Sequence, residues 1–340
     1  MNKKQIAASK VAEALRREFV GQIGRAVELR RFSSGNLAID RIMGGGVPVG
    51  RVVELYGPFS SGKSLLAVHM MSELQKLGGV AIFGDVEGAY DRTFGRAVGL
   101  EDPALVYWNP KTASNESEVT LTVEDVTHFF ISAWKKVRRI TQDMLTISVL
   151  DSVAAMSTRF ELQEGLAKAD LSKARMVSAA ARLLNAYAGP LDTLVIINQV
   201  REKIGVRFGD PETTPGGRAI PYLASVRLKL SQVRQKKEER GKVIPTGGLC
   251  RVICTKNRTA PPLRSATVEV SFFTGVDRYS GLIELLEQEG VVTRKRGGLY
   301  QYQGKSFKRE DLPQLVEEKP WIVTEEGKSV GREVAPEGEE

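Results

Sequence analysis

Eight consecutive residues, Gly57-Pro58-Phe59-Ser60-Ser61-Gly62-Lys63-Ser64, constrain this chain more than any other feature. They satisfy G-x-x-x-x-G-K-[ST] completely. They also have the context that pattern needs: an apolar strand at Arg51–Tyr56 runs into them, and a helix over residues 64–77 leaves them, stopped by Gly78 and Gly79. A strand, a glycine-rich turn and a helix in that order form a phosphate cradle. The glycines let the backbone wrap round the phosphates, and the loop amides and the positive helix end hold them. In such a loop Lys63 reaches the β- and γ-phosphates and Ser64 supplies a hydroxyl ligand to Mg²⁺, so the expected cofactors are ATP and Mg²⁺.

The rest of the chain repeats the strand-helix alternation. Strands are predicted at 79–84, Leu105–Trp108, Leu145–Leu150 and Thr193–Ile197, with helices near 90–98, at Val123–Ile140 and at Leu171–Tyr187. That rhythm means a mainly parallel sheet covered on both faces. Strands at 223–233, 247–256 and 266–273 then add an antiparallel end, with Arg234–Lys242 as an exposed hairpin-like connection. Residues 4–20 read as an amphipathic helix, followed by a short strand near Ala26–Leu29. A boundary is placed near Gly275–Ser280. A small α+β unit follows, with helix Leu282–Glu289 and strand Leu299–Tyr302. The fold class is α/β, a P-loop NTPase core with a mixed, mainly parallel central sheet. It carries a short N-terminal helix/strand arm and a small α+β C-terminal domain.

Open α/β sheets bind ligands at the carboxyl ends of their strands. Asp151 ends the apolar strand 145–150 at that edge, where a carboxylate can bind Mg²⁺ or cap the helix that follows. Glu87 and Asp85, after strand 79–84, are rival bases for an attacking water. The amides Asn198 and Gln199 end strand 193–197 at the same edge and can report the γ-phosphate.

Composition narrows the setting. The formal net charge of +8 suits a polyanionic partner without specifying one. Two cysteines, Cys250 and Cys254, lie four apart with no histidine near them. That is no zinc spacing, and they read as small buried residues in a reducing compartment. No segment reads as a signal peptide or approaches the ~20 apolar residues that span a bilayer, so no membrane association and a cytoplasmic or nucleoid-associated location are expected.

Several segments together resemble the bacterial RecA-type homologous recombinases, with a divergent or phage-encoded member a fitting description. The similarity spans about residues 31–305: SSGNLAID, GRVVELYGPFSSGKS, FGDVEGAYD, LDSVAA, the long run INQVREKIGVRFGDPETTPGGRAIPYLASVRLKL, TKNRTAPP, and SGLIELLEQEGVV with GLYQYQGKSF. The long run separates the chain from hexameric helicases and clock ATPases. The resemblance implies a DNA-dependent ATPase that polymerises on single-stranded DNA and pairs it with a homologous duplex. It makes Glu87 the general base and Gln199 the γ-phosphate sensor, and it sets Asp91 and Phe94 at the adenine. It also makes Lys256 and Arg258 a basic pair that reaches a neighbouring subunit's γ-phosphate.

Two DNA loops are implied. The first matches 159–170 weakly, with Arg159 and Lys168 among several acids. The second spans 200–218, with Arg201, Lys203, Arg207, Phe208, Gly216, Gly217 and Arg218 as candidate contacts. The basic turn Arg294-Lys295-Arg296 suits duplex phosphates. The implied organisation is an oligomerisation arm at 1–30, an ATPase core at 31–275, a DNA-gathering domain at 276–320 and a charged tail at 321–340. The arm packs on the next copy, head to tail, giving an open helical filament. The rival readings are a hexameric RecA-fold DNA helicase and a non-catalytic recombination mediator that binds DNA and nucleotide.

Overall fold

The computed structural model describes residues 3–18, 29–109, 122–164, 169–202, 212–215, 217–239, 242–320 and 323. The strand expected near Ala26–Leu29 falls mostly outside them. The chain opens with helix α1 (Lys3–Glu18), a small antiparallel pair β1 (Arg31–Phe32) and β2 (Val47–Pro48), and between these the short helix α2 (Leu37–Ile42). Asn36 caps α2 by accepting from the Ile39 amide at 2.8 Å. Its own amide donates to the Asp277 and Ser280 carbonyls at 2.7 and 3.0 Å, which fastens the beginning of the core to the far end of the chain.

Strand β3 (Val52–Gly57) then leads through the glycine-rich turn into α3 (Lys63–Gln75), followed by β4 (Val80–Asp85), α4 (Arg92–Ala97), β5 (Leu105–Trp108), α5 (Val123–Ile140) and β6 (Thr146–Asp151). The boundaries of β5 and α5 are those the sequence predicts. Helix α5 begins where the Thr122 hydroxyl accepts from the Asp125 amide, and it buries Val123, Val126, Thr127, Phe130 and Trp134 along one stripe. Trp134 ends that stripe with its indole N–H on Ser148 Oγ at 2.9 Å. Next come α6 (Arg159–Glu164), α7 (Ala169–Tyr187), β7 (Asp192–Gln199), the two-stranded ladder β8 (Arg201–Glu202) and β9 (Glu212–Thr213), and α8 (Ala219–Leu223).

The long strands β10 (Val226–Glu239) and β11 (Lys242–Asn257) follow, then β12 (Ser265–Ser271), β13 (Gly275–Val276) and α9 (Leu282–Gln288). The chain closes on a three-stranded sheet, β14 (Thr293–Arg294), β15 (Tyr300–Tyr302) and β16 (Lys305–Phe307), and helix α10 (Leu312–Glu318).

Among the described residues the main sheet has the order β13-β12-β11-β10-β3-β7-β6-β4-β5. From β10 to β5 every neighbouring pair is parallel, and from β10 to β13 every pair is antiparallel. The mixed, mainly parallel α/β sheet is the expected one. One expectation changes: Arg234–Lys242 is no mere connection, because the β10–β11 ladder continues as far as Glu239 opposite Lys242. Both cysteines lie buried in β11. Helix α9 buries Leu282, Ile283, Leu285 and Leu286 in the same apolar cluster as α3 and β12, so the C-terminal unit is continuous with the core. No helix among the described residues is long and apolar enough to cross a membrane.

Candidate nucleotide site and its nucleic-acid loop

Sheet register assembles the site. At the carboxyl edge Gly57 lies opposite Gln199, and Asp85 lies opposite Asp151. A Cβ on Gly57 would stand 2.2 Å from the Leu230 carbonyl oxygen, so only glycine lets β3 run this close to β10 before turning. Gly62 takes φ 83° at the start of α3, the left-handed conformation that tips the loop amides inward. A cavity of about 330 Å³ opens there, walled by residues 59–65, Glu87, Asp151, Ser152, Gln199 and Phe272. A larger cavity, about 720 Å³, lies between β12 and the C-terminal unit, remote from the phosphate loop.

The charged and amide walls of the smaller cavity have defined partners. Lys63 Nζ donates to the Gly57 and Pro58 carbonyls at 3.2 and 2.7 Å and to Ser61 Oγ at 3.3 Å. Burial pulls its pKa below the usual lysine range, against the pull of Asp151 and Glu87. Ser64 donates its hydroxyl to Asp151 Oδ2 at 2.5 Å. Burial pushes the Asp151 carboxyl up to about 6. The charges of Glu87 and Asp85 add to that rise, while the Ser64 hydrogen bond and Lys63 oppose it. Asp151 therefore faces the phosphate loop and does not cap a helix.

The two rival carboxylates separate. Asp85 is buried and fully engaged. It accepts from the amides of Gly88, Ala89 and Tyr90 at 2.8, 3.3 and 3.0 Å and from the Tyr107 hydroxyl at 2.9 Å. It clasps the turn after β4 and is no part of the cavity wall. Glu87 stands on that turn and faces the cavity, where Ser152 donates its hydroxyl to Oε1. Gln199 Nε2 donates to the same oxygen at 3.1 Å. Asn198 points away, into the sheet face.

The structure does not bring every candidate to this pocket. Asp91 caps α4 by accepting from the Thr93 amide at 2.7 Å, and Phe94 packs half-buried on the core; neither walls the cavity. Lys256 and Arg258 lie at the opposite, amino edge of the parallel strands. Lys256 Nζ donates to the Pro221 and Tyr222 carbonyls at 2.6 and 2.9 Å, and Arg258 Nη2 to the Tyr222 carbonyl at 2.6 Å. Burial, then the nearby Arg258 and Arg227 cations, lowers the Lys256 pKa.

Of the second loop, the base is described. Val200 N–H donates to the Gly57 carbonyl at 3.2 Å, Arg201 pairs with Thr213, and Asn198 Nδ2 donates to the Pro215 carbonyl at 3.1 Å. Gly217 has φ 66° and Arg218 is exposed at the head of α8. Lys203, Arg207, Phe208 and Gly216 lie outside the described residues, as does Lys168 of the first loop. Arg159 opens α6 and pairs with Asp125. Arg294, Lys295 and Arg296 are exposed together on the C-terminal turn.

Sequence reasoning missed Ser152, Phe272 and the partners of Asn198. Ser152 follows Asp151 directly and was within reach. Phe272 enters the wall only because β12 returns to the loop in three dimensions.

A nucleotide-sized cavity on a glycine-rich loop, at the carboxyl edge of this strand order, defines a P-loop NTPase with a RecA-like core. Comparison with known proteins narrows the class. The RecA N-terminal domain family model matches residues 5–277. Protein RecA of Nostoc punctiforme is 35% identical over 345 residues, covering 98% of this chain and 90% of that protein. Protein RecA of Trichodesmium erythraeum is 36% identical over 312 residues (89% and 81%). Protein RecA of Thermosynechococcus vestitus is 34% identical over 327 residues (94% and 86%). The chain belongs to the RecA family, and with that membership goes the activity of a DNA-dependent ATPase and recombinase. Membership also implies dependence on ATP and Mg²⁺, binding of DNA and self-association.

Proposed function

We propose that hydrolysis occurs at a composite site between two copies of the chain, and that Gln199 couples it to single-stranded DNA held by residues 200–218. One observation carries this reading: Gln199 bonds Glu87 at 3.1 Å while the next residue, Val200, bonds the first P-loop glycine. A shift of the Gln199 amide toward a γ-phosphate therefore moves the root of the loop. Glu87 is the base that orients and deprotonates the attacking water, with Ser152 fixing its carboxylate. The oxygen pair Ser64 Oγ and Asp151 Oδ2 fits Mg²⁺, a hard cation whose shell is otherwise filled by phosphates and water. When bound, the ion neutralises charge on the transferring phosphoryl group. Phe272, half-exposed on the wall, offers an aromatic face to the nucleotide.

Lys256 and Arg258 complete the site from the next copy. They stand at the amino edge of the sheet and the phosphate loop at the carboxyl edge, so the contact joins two different faces head to tail, the kind of contact that builds a helical filament when its rotation does not close. The arm at 1–30 strengthens that contact. The unit at 276–320, with Arg294, Lys295 and Arg296 exposed, gathers duplex DNA, and the tail at 321–340 follows it. Homologous pairing then reads sequence through base pairs, while the protein holds and deforms the backbone.

The test combines two assays on wild type and Gln199→Ala: ATP turnover with and without single-stranded DNA, and strand exchange between circular single-stranded and homologous linear duplex DNA. Wild type is expected to be stimulated by DNA and to exchange strands. Gln199→Ala is expected to keep its DNA-free turnover within about tenfold and to lose stimulation, since coupling between sites is typically worth about 5–150-fold. Full stimulation in Gln199→Ala overturns the coupling.

A further inference from the structure

Glu54 is a charged residue that the reaction as described does not use. It is fully buried, at 0% exposure, midway along β3. Two side chains on the same sheet face hold it. Asn198 Nδ2 donates to Oε1 at 3.1 Å, and Arg227 Nε donates to Oε2 at 2.5 Å. Each partner stands at a junction. The Asn198 side-chain amide also donates to the Pro215 carbonyl at 3.1 Å, where the 200–218 loop returns, and its own oxygen accepts from the backbone N–H of Gln199 at 3.2 Å. Arg227 lies over the Tyr56 ring at 4.4 Å and pairs in register with Lys256.

Stability alone gives little reason for this arrangement. A buried ion pair is often no better than apolar residues of the same volume, whereas removing one partner strands a charge. What the carboxylate adds is orientation. An ionised carboxylate only accepts, so it fixes the Asn198 amide with Nδ2 toward Glu54 and Pro215 and Oδ1 toward Gln199. Its other oxygen fixes the strand whose register partner is Lys256.

We propose that Glu54 is a positioning residue that locks the root of the DNA loop and the basic pair's strand to one register with the phosphate loop, so that both respond to nucleotide together. This rests on the coupling through Gln199 and on the trans role of Lys256 and Arg258. Glu54→Gln keeps the side-chain size and one acceptor oxygen but sets an NH2 donor against either Arg227 or Asn198, so the two can no longer both be held. The readouts are turnover with and without single-stranded DNA, KM for ATP, melting temperature, and the affinity of a fluorescent oligo(dT) with and without ATPγS. The expected result is DNA-free turnover and KM within about twofold of wild type, DNA stimulation reduced at least about tenfold, and loss of the ATPγS-driven gain in oligo(dT) affinity.

Ile147→Val, a buried core change in β6, reports what plain destabilisation does to the same ratio. If Glu54→Gln does not fold, Asn198→Ala cuts the tie to Pro215 while leaving the ion pair, and the same loss of stimulation ratio is expected. A wild-type ratio in a folded variant overturns the proposal. So does a parallel fall of both turnover rates with melting temperature, as for Ile147→Val. Gln199→Ala in the same assay separates the two ideas: if it loses stimulation while the Glu54 and Asn198 variants keep it, the positioning role alone falls.

Discussion

His69 shows how a single side chain on the P-loop helix ties the nucleotide site to the rest of the core. Its Nε2 accepts the Val276 N–H at 2.9 Å, and burial lowers its pKa to about 4. An imidazolium has no lone pair for that amide, so protonation and the native contact exclude each other. Because the folded pKa lies below the unfolded value near 6.5, the unfolded chain binds the proton first as pH falls. The stabilisation is complete above about pH 6.5 and is lost on descent toward pH 4, amounting to about 3 kcal/mol in full. Asp40 has the opposite sign. Its carboxyl is raised to about 6 by burial, so the folded state gains on protonation. Glu73 and Lys76 also face His69, with opposing charges. Comparison with a variant therefore isolates the histidine. His69→Gln retains an acceptor and does not titrate. Urea midpoints of the two proteins are expected to diverge below about pH 6, wild type losing stability faster; parallel curves down to pH 4.5 would contradict the assignment.

At the scale of elements, the turn from β4 to α4 separates a carboxylate that builds from one that faces the cavity. Asp85 accepts three backbone amides and a phenol, and Glu87 leans into the cavity two residues later. Asp85→Ala leaves those donors without an acceptor in a buried place, so a loss of about 2–3 kcal/mol is expected, with turnover falling because Glu87 loses its support. Glu87→Gln is expected to melt within about a degree or two of wild type and yet to lose at least about 10²-fold in turnover, the usual worth of a general base. A stable Asp85→Ala protein together with an active Glu87→Gln protein would exchange the two roles. Position along the chain was enough to set both residues at the sheet edge, but not to choose between them, because the choice depends on the amides of residues 88–90 curling back. The same divide runs through the molecule. The strand, loop and helix round Lys63, and the span of α5, were legible because their signals are local: a motif, an apolar period, a cap. The Glu54–Asn198–Pro215 contacts join strands 144 residues apart and were not, since no local pattern records which buried polar groups will meet. The role given to Lys256 and Arg258 came only through family resemblance, and the carbonyls of α8 that hold them were not foreseen.

For the whole molecule, the decisive fact is that the phosphate loop and the basic pair lie at opposite edges of one sheet, so a single copy cannot bring them together. If Arg258 acts on the next copy's nucleotide, each defect can be made in a different protein. Lys63→Ala lacks the amine of the glycine-rich loop but still presents Arg258; Arg258→Ala has that loop whole but presents no guanidinium. Each alone is expected to show DNA-stimulated turnover reduced at least about 10²-fold. Mixed in equal amounts on single-stranded DNA, they place an intact loop opposite an intact Arg258 at about one junction in four under random head-to-tail assembly. Recovery toward about a quarter of wild-type turnover is therefore expected, falling as either variant is diluted by the other. A cis-acting Arg258 predicts no recovery at any ratio, because neither chain then holds both groups. A ring of fixed size would recover activity as well, so sedimentation of the mixture on DNA of increasing length completes the measurement. Mass that grows with DNA length belongs to an open assembly, and mass that stops at a fixed value belongs to a ring.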